Sequence, residues 1–315
     1  MLRWRTFKFV NPPSPPLRVP VVPGLTGLIV LARGGYATVY QARQDSVGRP
    51  VAVKVEHRAL DSAEDQRRFL REAHAAGEMS GHPHVVDLFD AGVTEDGHPY
   101  LIMELCAGTY ADRMARTPLS PFEVRDVGIK IADALADSHA RGVLHRDVKP
   151  ANILVSRFGE PALADFGLAV LAESRESSLS MDVLTPAYAP PEMFRQATHP
   201  TAAADVYALA ASLYAMLRGG PPRWKDDSMP SLRALIEMFD QPIPDLPGVG
   251  VALLDVLRTG MDNEPRRRPV AGRLRDELAA LAPDALGTTT TSVFAQRRGV
   301  DEATVGWASE TQTAG

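Results

Sequence analysis

The chain has 315 residues, of which 45% are hydrophobic and 23% are charged, a composition typical of a globular protein with a sizeable core. Its formal net charge of −5 argues against a nucleic-acid binder and a membrane-surface protein, because no basic excess is present to neutralise phosphates. Cys106 is the single cysteine, which excludes an intrachain disulfide, and no apolar run is long enough to span a bilayer. We therefore predict a soluble, cytoplasmic protein.

Residues 1–24 are rich in proline and predict an extended leader instead of a helix or a strand. The leader serves either as a stiff spacer or as a ligand for a proline-binding domain. Strands are predicted next at residues 28–31 and 51–55, and the glycine turn (residues 32–37) lies between them. Small residues in this turn allow backbone N–H groups to approach phosphate oxygens, although an ordinary hairpin has the same pattern.

Lys54 is flanked by apolar strand residues, so it either faces a ligand or points outward from a sheet edge. The next helix is predicted to begin in a capping box at residues 62–65 and to end at Gly81. Glu72 lies in the middle of this helix. A longer helix is predicted between residues 120 and 142, with a serine N-cap and a proline in its first turn.

The most informative stretch reads H-R-D-V-K-P-A-N at residues 145–152 and D-F-G at residues 165–167. The residues between them predict a β-hairpin, which would bring Asp165 beside Asn152. An aspartate and an asparagine that face one gap supply the hard oxygen ligands that hold magnesium together with substrate phosphates. Asp147 is then left to accept the proton of a hydroxyl group.

These motifs resemble the catalytic loop and the metal-binding motif of the protein kinase family, and the wording R-G-G-Y-A-T-V-Y is most similar to bacterial Ser/Thr protein kinases of the Hanks, or eukaryotic-like, type. The resemblance implies an α+β fold with two lobes, a small β-rich N-terminal lobe with one main helix and a larger, mostly helical C-terminal lobe. We therefore predict three segments: a proline-rich leader at 1–24, a kinase domain at 25–282 with lobes at about 25–104 and 107–282, and a disordered threonine-rich tail at 283–315.

The resemblance implies that ATP binds between the lobes together with Mg²⁺, or with Mn²⁺ in its place. Asp147 would orient the acceptor hydroxyl, and Lys149 would neutralise charge on the γ-phosphoryl group. Glu72 would orient Lys54 on the α- and β-phosphates. Asn152 and Asp165 would hold the metal. The residues implied for nucleotide binding are Leu31, Gly34, Gly35, Val39, Ala52, Lys54, Met103, Glu104, Cys106, Asn152 and Asp165.

Residues 168–184 are rich in serine and glutamate, which predicts a mobile segment. In the family an arginine placed like Arg146 receives a phosphate from this segment, so the resemblance implies activation by phosphorylation. It also implies an ion pair between Glu192 and Arg268. Asp205 would hold the catalytic-loop backbone, or it would be a simple acid at a helix N-terminus. The candidate phosphoacceptors are Ser174, Ser177, Ser178, Ser180 and Thr185.

Two departures from the family pattern leave an alternative open. Ala32 and Ala37 stand at the first and third glycine positions of the glycine turn. The protein is therefore either an active Ser/Thr kinase or a pseudokinase that binds nucleotide and signals by conformation; a small-molecule kinase is a third interpretation. The candidate partners are protein substrates with Ser or Thr acceptors, a phosphothreonine-binding protein for residues 288–291, and a second copy of the chain; nucleic acid is not expected.

Overall fold

The computed structural model describes residues 19–166, 186–194, 199–223 and 231–287. Its first part is an antiparallel sheet with one long helix, and its second part is mostly helical. The predicted two-lobed α+β fold is therefore confirmed. Among the helices of the described ranges, none is both long enough and apolar enough to cross a membrane.

The N-terminal lobe is a five-stranded sheet in which every pair of neighbouring strands is antiparallel. One face of the sheet buries an apolar cluster that includes Tyr40, Val53 and Ile102, and Val22 of the leader packs against the same cluster. The strands are ordered β1-β2-β3-β5-β4 and comprise β1 (Leu25–Arg33), β2 (Ala37–Gln44), β3 (Arg49–Glu56), β4 (Leu88–Val93) and β5 (Pro99–Met103).

The helix of this lobe, α1 (Ala63–Gly77), packs Phe69 and Ala73 against the sheet. Its start is as predicted, because the Ser62 hydroxyl accepts a hydrogen bond from the backbone N–H of Asp65 at 3.1 Å. Its predicted end at Gly81 is wrong, since the helix stops at Gly77. Tighter three-residue turns follow and place Met79 in the core of the C-terminal lobe.

The C-terminal lobe is built around two helices. In α4 (Ala202–Arg218), every residue from Ala204 to Leu217 is buried, which is the pattern of a helix surrounded by protein on all sides. Helix α3 (Pro121–Ala140) buries one apolar face and begins and ends as predicted, with Ser120 as its N-cap. The elements of this lobe are β6 (Gly108–Thr109), α2 (Tyr110–Arg116), α3 (Pro121–Ala140), β7 (Ile153–Val155), β8 (Pro161–Leu163), α4 (Ala202–Arg218), α5 (Leu232–Phe239), α6 (Val251–Gly260), α7 (Ala271–Ala280) and three short 3₁₀ helices, Pro191–Phe194, Pro265–Arg267 and Pro283–Leu286.

The last 3₁₀ helix lies beyond the predicted domain boundary at residue 282. Leu286 is fully buried in the core of the C-terminal lobe, and the backbone N–H of Gly250 donates to its carbonyl oxygen at 2.8 Å. Residues 283–287 therefore belong to the folded domain and not to the tail, because one leucine anchors them. The remainder of the tail, from residue 288, and residues 1–18 of the leader lie outside the described residues.

We predict that Leu286→Ala lowers the free energy of unfolding by about 2–4 kcal/mol, because it leaves a cavity in a packed core. Urea unfolding followed by circular dichroism measures this change. Asp284→Ala is the matched control, since Asp284 is exposed in the same short helix, and it should change stability by less than about 0.5 kcal/mol. Equal stabilities for the two variants would contradict the boundary at residue 287.

Candidate active site

The buried carboxylate of Asp205, in the first turn of α4, holds the backbone of the catalytic loop. Its oxygens accept hydrogen bonds from the backbone N–H groups of His145 at 2.9 Å and Arg146 at 2.7 Å. The ring Nε2 of His139 contacts the same carboxylate at 2.9 Å. These contacts hold Arg146 at a φ of +71°, a left-handed conformation that non-glycine residues adopt only when the surroundings impose it. The loop-anchoring interpretation of Asp205 is therefore confirmed.

The ring of His145 joins the catalytic loop to the segment that precedes Asp165. Its Nε2 lies 2.8 Å from the carbonyl oxygen of Ala164, which can only accept, so the proton resides on Nε2. Its Nδ1 then accepts the backbone N–H of Asp147 at 3.2 Å. The ring also makes an edge contact with Phe166, with centroids 4.8 Å apart. The neutral ring of His145 thus links the catalytic loop to the segment around Asp165.

The carboxylate of Asp147 is oriented by two side chains from the same loop. Lys149 Nζ lies 2.6 Å from Asp147 Oδ2, and Asn152 Nδ2 donates to the same oxygen at 3.0 Å. Asn152 Nδ2 also donates to the carbonyl oxygen of Asp147 at 2.8 Å. The Asp147 side chain nevertheless keeps 30% of its surface exposed, so a hydroxyl group from outside can reach it.

The predicted hairpin is formed by β7 and β8, and it brings Asp165 next to Asn152. Ile153 pairs with Leu163, and the backbone N–H of Ala164 donates to the carbonyl oxygen of Asn152 at 2.9 Å. Because Nδ2 of Asn152 is bound to Asp147, its amide oxygen is the atom left to bind a cation. An amide oxygen beside a carboxylate suits a hard cation such as Mg²⁺, so these residues fit the implied metal.

Four of the predicted nucleotide residues of the N-terminal lobe lie on one face of the sheet. Val39 is directly opposite Lys54, and Ala52 is opposite Met103, in antiparallel register. Because side chains alternate between faces along a strand, these four point to the same side. The other three predicted residues, Leu31, Gly34 and Gly35, are exposed at the end of β1 and in the glycine turn.

The connection between the lobes contains Glu104 and Cys106. The backbone N–H of Glu104 donates to the carbonyl oxygen of Asp87 at 2.9 Å, which leaves its own carbonyl as the group that a base could use. Burial, together with the nearby charges of Glu104 and Asp87, raises the pKa of the Cys106 thiol to about 12. Cys106 is therefore a neutral thiol at physiological pH and not a nucleophile.

Lys54 and Asp165 form an ion pair across the cleft, with Nζ and Oδ2 3.0 Å apart. Burial alone would lower the pKa of Lys54, but the charges of Asp165 and Glu56 outweigh it and raise this pKa. Burial would raise the pKa of Asp165, but the Lys54 ammonium outweighs it and lowers that pKa. Both groups are therefore charged at neutral pH.

The family of this chain follows from its similarity to known proteins. The sequence profile of the protein kinase domain matches residues 28–276. The chain belongs to the protein kinase family. The predicted resemblance to bacterial Ser/Thr protein kinases of the Hanks type is confirmed by the relatives that follow.

Three curated bacterial relatives match the kinase domain. Serine/threonine-protein kinase PknK of Mycobacterium bovis is 37% identical over 262 residues, which are 80% of this chain and 23% of that protein. Serine/threonine-protein kinase PknE of the same species is 38% identical over 264 residues, 82% of this chain and 45% of the relative. DNA damage-responsive serine/threonine-protein kinase RqkA of Deinococcus radiodurans is 36% identical over 289 residues, 86% and 42% of the two chains. The chain spans less than half the length of each of these relatives.

The expected pair between Lys54 and Glu72 is not formed in this structure of the kinase. Lys54 binds Asp165, and Glu72 Oε1 binds the guanidinium of Arg68, one turn earlier on α1, at 3.1 Å. The other oxygen, Glu72 Oε2, is buried and accepts no hydrogen bond from the part of the chain that the structure describes. Each of the two predicted partners is thus engaged by a nearer opposite charge. The role of Glu72 stays a prediction.

The predicted pair between Glu192 and Arg268 is confirmed. The guanidinium donates to both carboxylate oxygens, at 2.6 and 2.8 Å, and both side chains are buried. This bidentate contact ties the segment at residues 186–194 to the end of α6 and its following loop, because Arg268 also donates to the carbonyl oxygen of Asp262 at 2.7 Å. The segment is thereby held beside the catalytic loop.

Two parts of this site were not predicted from the sequence. One is His139, the third group on Asp205, whose only signal was a histidine in the last turn of the helix that leads into the catalytic loop. The other is a pocket that Asp147 lines together with Tyr188, Pro190 and Met193. Residues 167–185, which include the candidate phosphoacceptors and Gly167 of the D-F-G motif, lie outside the described residues.

We predict that iodoacetamide labels Cys106 in the folded protein at pH 8 about 10²–10³-fold more slowly than in the urea-unfolded chain, because a raised pKa suppresses the thiolate. The rate should increase as the pH rises toward 12, since deprotonation then restores the nucleophile. Mass spectrometry reports this residue alone, as the chain has a single cysteine. Equal labelling rates in the folded and unfolded chains at pH 8 would refute this description of the thiol.

Proposed function

We propose that this chain is a Ser/Thr protein kinase that transfers the γ-phosphoryl group of ATP to hydroxyl groups of proteins. The observation that carries the proposal is the carboxylate of Asp147, held between Lys149 and Asn152 with Asp165 beside it. This set contains the proton acceptor, the positive charge and the oxygen ligands that phosphoryl transfer requires. The names of the curated relatives support the same activity.

Each residue of the site has a separate role in phosphoryl transfer. Asp147 orients the acceptor hydroxyl and takes its proton, and Lys149 neutralises charge that develops on the transferred phosphoryl group. Lys54 holds the α- and β-phosphates. A divalent ion, Mg²⁺ by preference and Mn²⁺ in its place, supplies further charge neutralisation when bound, and Asn152 and Asp165 would hold it.

Lys54 must leave Asp165 for this arrangement to form, because Asp165 is needed at the metal. We propose that Glu72 receives Lys54 at that point. The buried Oε2 of Glu72, which has no hydrogen-bond donor among the described residues, supports this step, since a buried carboxylate oxygen without a donor is costly and gains from an ammonium. Arg68, whose side chain is already 41% exposed, would then return to solvent at little cost.

A protein segment is the substrate that suits the site best. The pocket beside Asp147 is lined mainly by apolar groups, including Tyr188, Pro190 and Met193, so an apolar side chain next to the acceptor residue can bind there.

Two further proposals concern parts of the chain outside the described residues: autophosphorylation within residues 167–185, and a phosphothreonine-binding partner for residues 288–291. A homodimer and a cytoplasmic location complete the proposal, the latter supported by a single, unpaired cysteine.

We predict that Asp147→Asn lowers phosphate transfer to a protein substrate by about 10²–10⁴-fold, because the positioned base is lost. Transfer is measured with labelled ATP and Mg²⁺, followed by phosphoamino-acid analysis of the product. Asp137→Asn is the matched control, a partly exposed carboxylate on α3 that pairs with Arg141, and it should keep the wild-type rate.

Two results would count against the proposal. Wild-type rates in Asp147→Asn would exclude Asp147 as the base. A wild-type chain that binds ATP but labels neither itself nor a generic protein substrate would favour the pseudokinase alternative, in which nucleotide binding serves only conformation.

A further inference from the structure

His57, which follows the end of β3, holds the glycine turn from outside. The turn itself is closed by the backbone N–H of Gly34, which donates to the carbonyl oxygen of Ala37 at 2.8 Å. The backbone N–H of His57 donates to the carbonyl oxygen of Tyr36 at 2.7 Å. The His57 ring adds two contacts, Nδ1 to the carbonyl oxygen of Gly35 at 3.2 Å and Nε2 to the Thr38 hydroxyl at 2.8 Å.

The protonation of the ring follows from these two partners. The Gly35 carbonyl can only accept a hydrogen bond, so Nδ1 of His57 carries a proton. The Thr38 hydroxyl can donate to a bare Nε2 or accept from a protonated one. Both contacts are therefore satisfied whether the ring is neutral or charged, and the clamp does not require one charge state.

Burial indicates that these contacts determine where the ring lies. Thr38 is only 1% exposed, so its hydroxyl needs a partner within the protein, and His57 provides it. His57 itself is exposed, so the packing of an apolar core does not explain its orientation. The two hydrogen bonds of its ring explain the orientation instead.

We propose that His57 is a positioning residue for ATP, which clamps the glycine turn through Gly35 and Thr38. In a planar trans peptide the carbonyl and the next N–H point in opposite directions, so fixing the carbonyls of Gly35 and Tyr36 also fixes the direction of the following N–H groups. Backbone N–H groups of such a turn are the groups that hold phosphate oxygens. A turn fixed before ATP arrives loses less conformational freedom on binding.

The clamp also gives a physical account of the two alanines in the turn. Ala32 and Ala37 reduce the flexibility that glycine would provide, and Ala37 is buried at the start of β2. In this chain the contacts of His57 restrict the conformations of the turn, so ATP binding does not require the flexibility of glycine at these two positions. The inference rests on the proposed nucleotide site, and it adds a residue that lies outside the catalytic loop and the D-F-G motif.

The test measures ATP affinity directly by calorimetric titration with Mg²⁺, and KM for ATP and kcat with a protein substrate. His57→Ala should weaken ATP binding and raise KM for ATP by about three- to tenfold, while kcat and KM for the protein substrate stay within about twofold, because two hydrogen bonds of the ATP-binding turn are lost. His74→Ala is the matched control, another exposed histidine of the same lobe, and it should leave all of these values unchanged.

Thr38 provides an independent pair of variants that does not depend on the folding of His57→Ala. Thr38→Val removes the hydroxyl at nearly constant volume and should weaken ATP binding, whereas Thr38→Ser should retain wild-type affinity. Combining His57→Ala with Thr38→Val should cost no more than the larger single change, because both remove one shared contact.

Unchanged ATP affinity in His57→Ala and in Thr38→Val, with a wild type that binds ATP, would overturn the role of His57 and leave the proposed function intact. A wild type that binds ATP without transferring phosphate would contradict the proposed activity. The ATP affinities of the wild type and the variants would still test whether His57 clamps the turn. A wild type that binds no ATP would overturn both.

Discussion

The buried carboxylate of Asp205 is the contact on which the catalytic loop depends. It belongs to a helix that is surrounded by protein, and it accepts hydrogen bonds from the backbone of His145 and Arg146 and from the ring of His139. A carboxylate in this position satisfies several buried donors at once, and its loss would leave each of them without a partner. The loop that carries Asp147 is thus attached to a helix that is buried on all sides, which is how a strained turn can present a base in a fixed position.

The charged groups of the N-terminal lobe have other partners in this structure than those of the proposed mechanism. Lys54 is paired with Asp165, and Glu72 is paired with Arg68. The contacts that hold the catalytic loop are already formed, whereas the proposed mechanism requires Lys54 to exchange Asp165 for Glu72. Under this proposal, an exchange of ion pairs precedes phosphoryl transfer.

Local features could be predicted from the residues themselves, whereas contacts between distant residues could be predicted only where the family resemblance implied them, as for Glu192 with Arg268. The β7–β8 hairpin and the helix caps at Ser62 and Ser120 follow from turn residues and short motifs, and the approach of Asp165 to Asn152 follows from the hairpin. The partner of Lys54 could not be predicted, because two carboxylates compete for one ammonium and only distance decides between them. The burial of Leu286 and the clamp by His57 could likewise not be predicted, since each depends on contacts between segments that are distant in the sequence.

Phosphate transfer by Asp205→Asn tests most directly whether the buried carboxylate sets the catalytic loop. The amide keeps the shape but loses the charge and one acceptor, so kcat should fall by about 10²-fold, while KM for ATP stays within about threefold. Leu209→Ala, a fully buried change in the same helix, is measured beside it below the unfolding temperature of both variants, and it should lower stability but keep kcat. A wild-type kcat in Asp205→Asn, or an equal fall in both variants, would contradict this account.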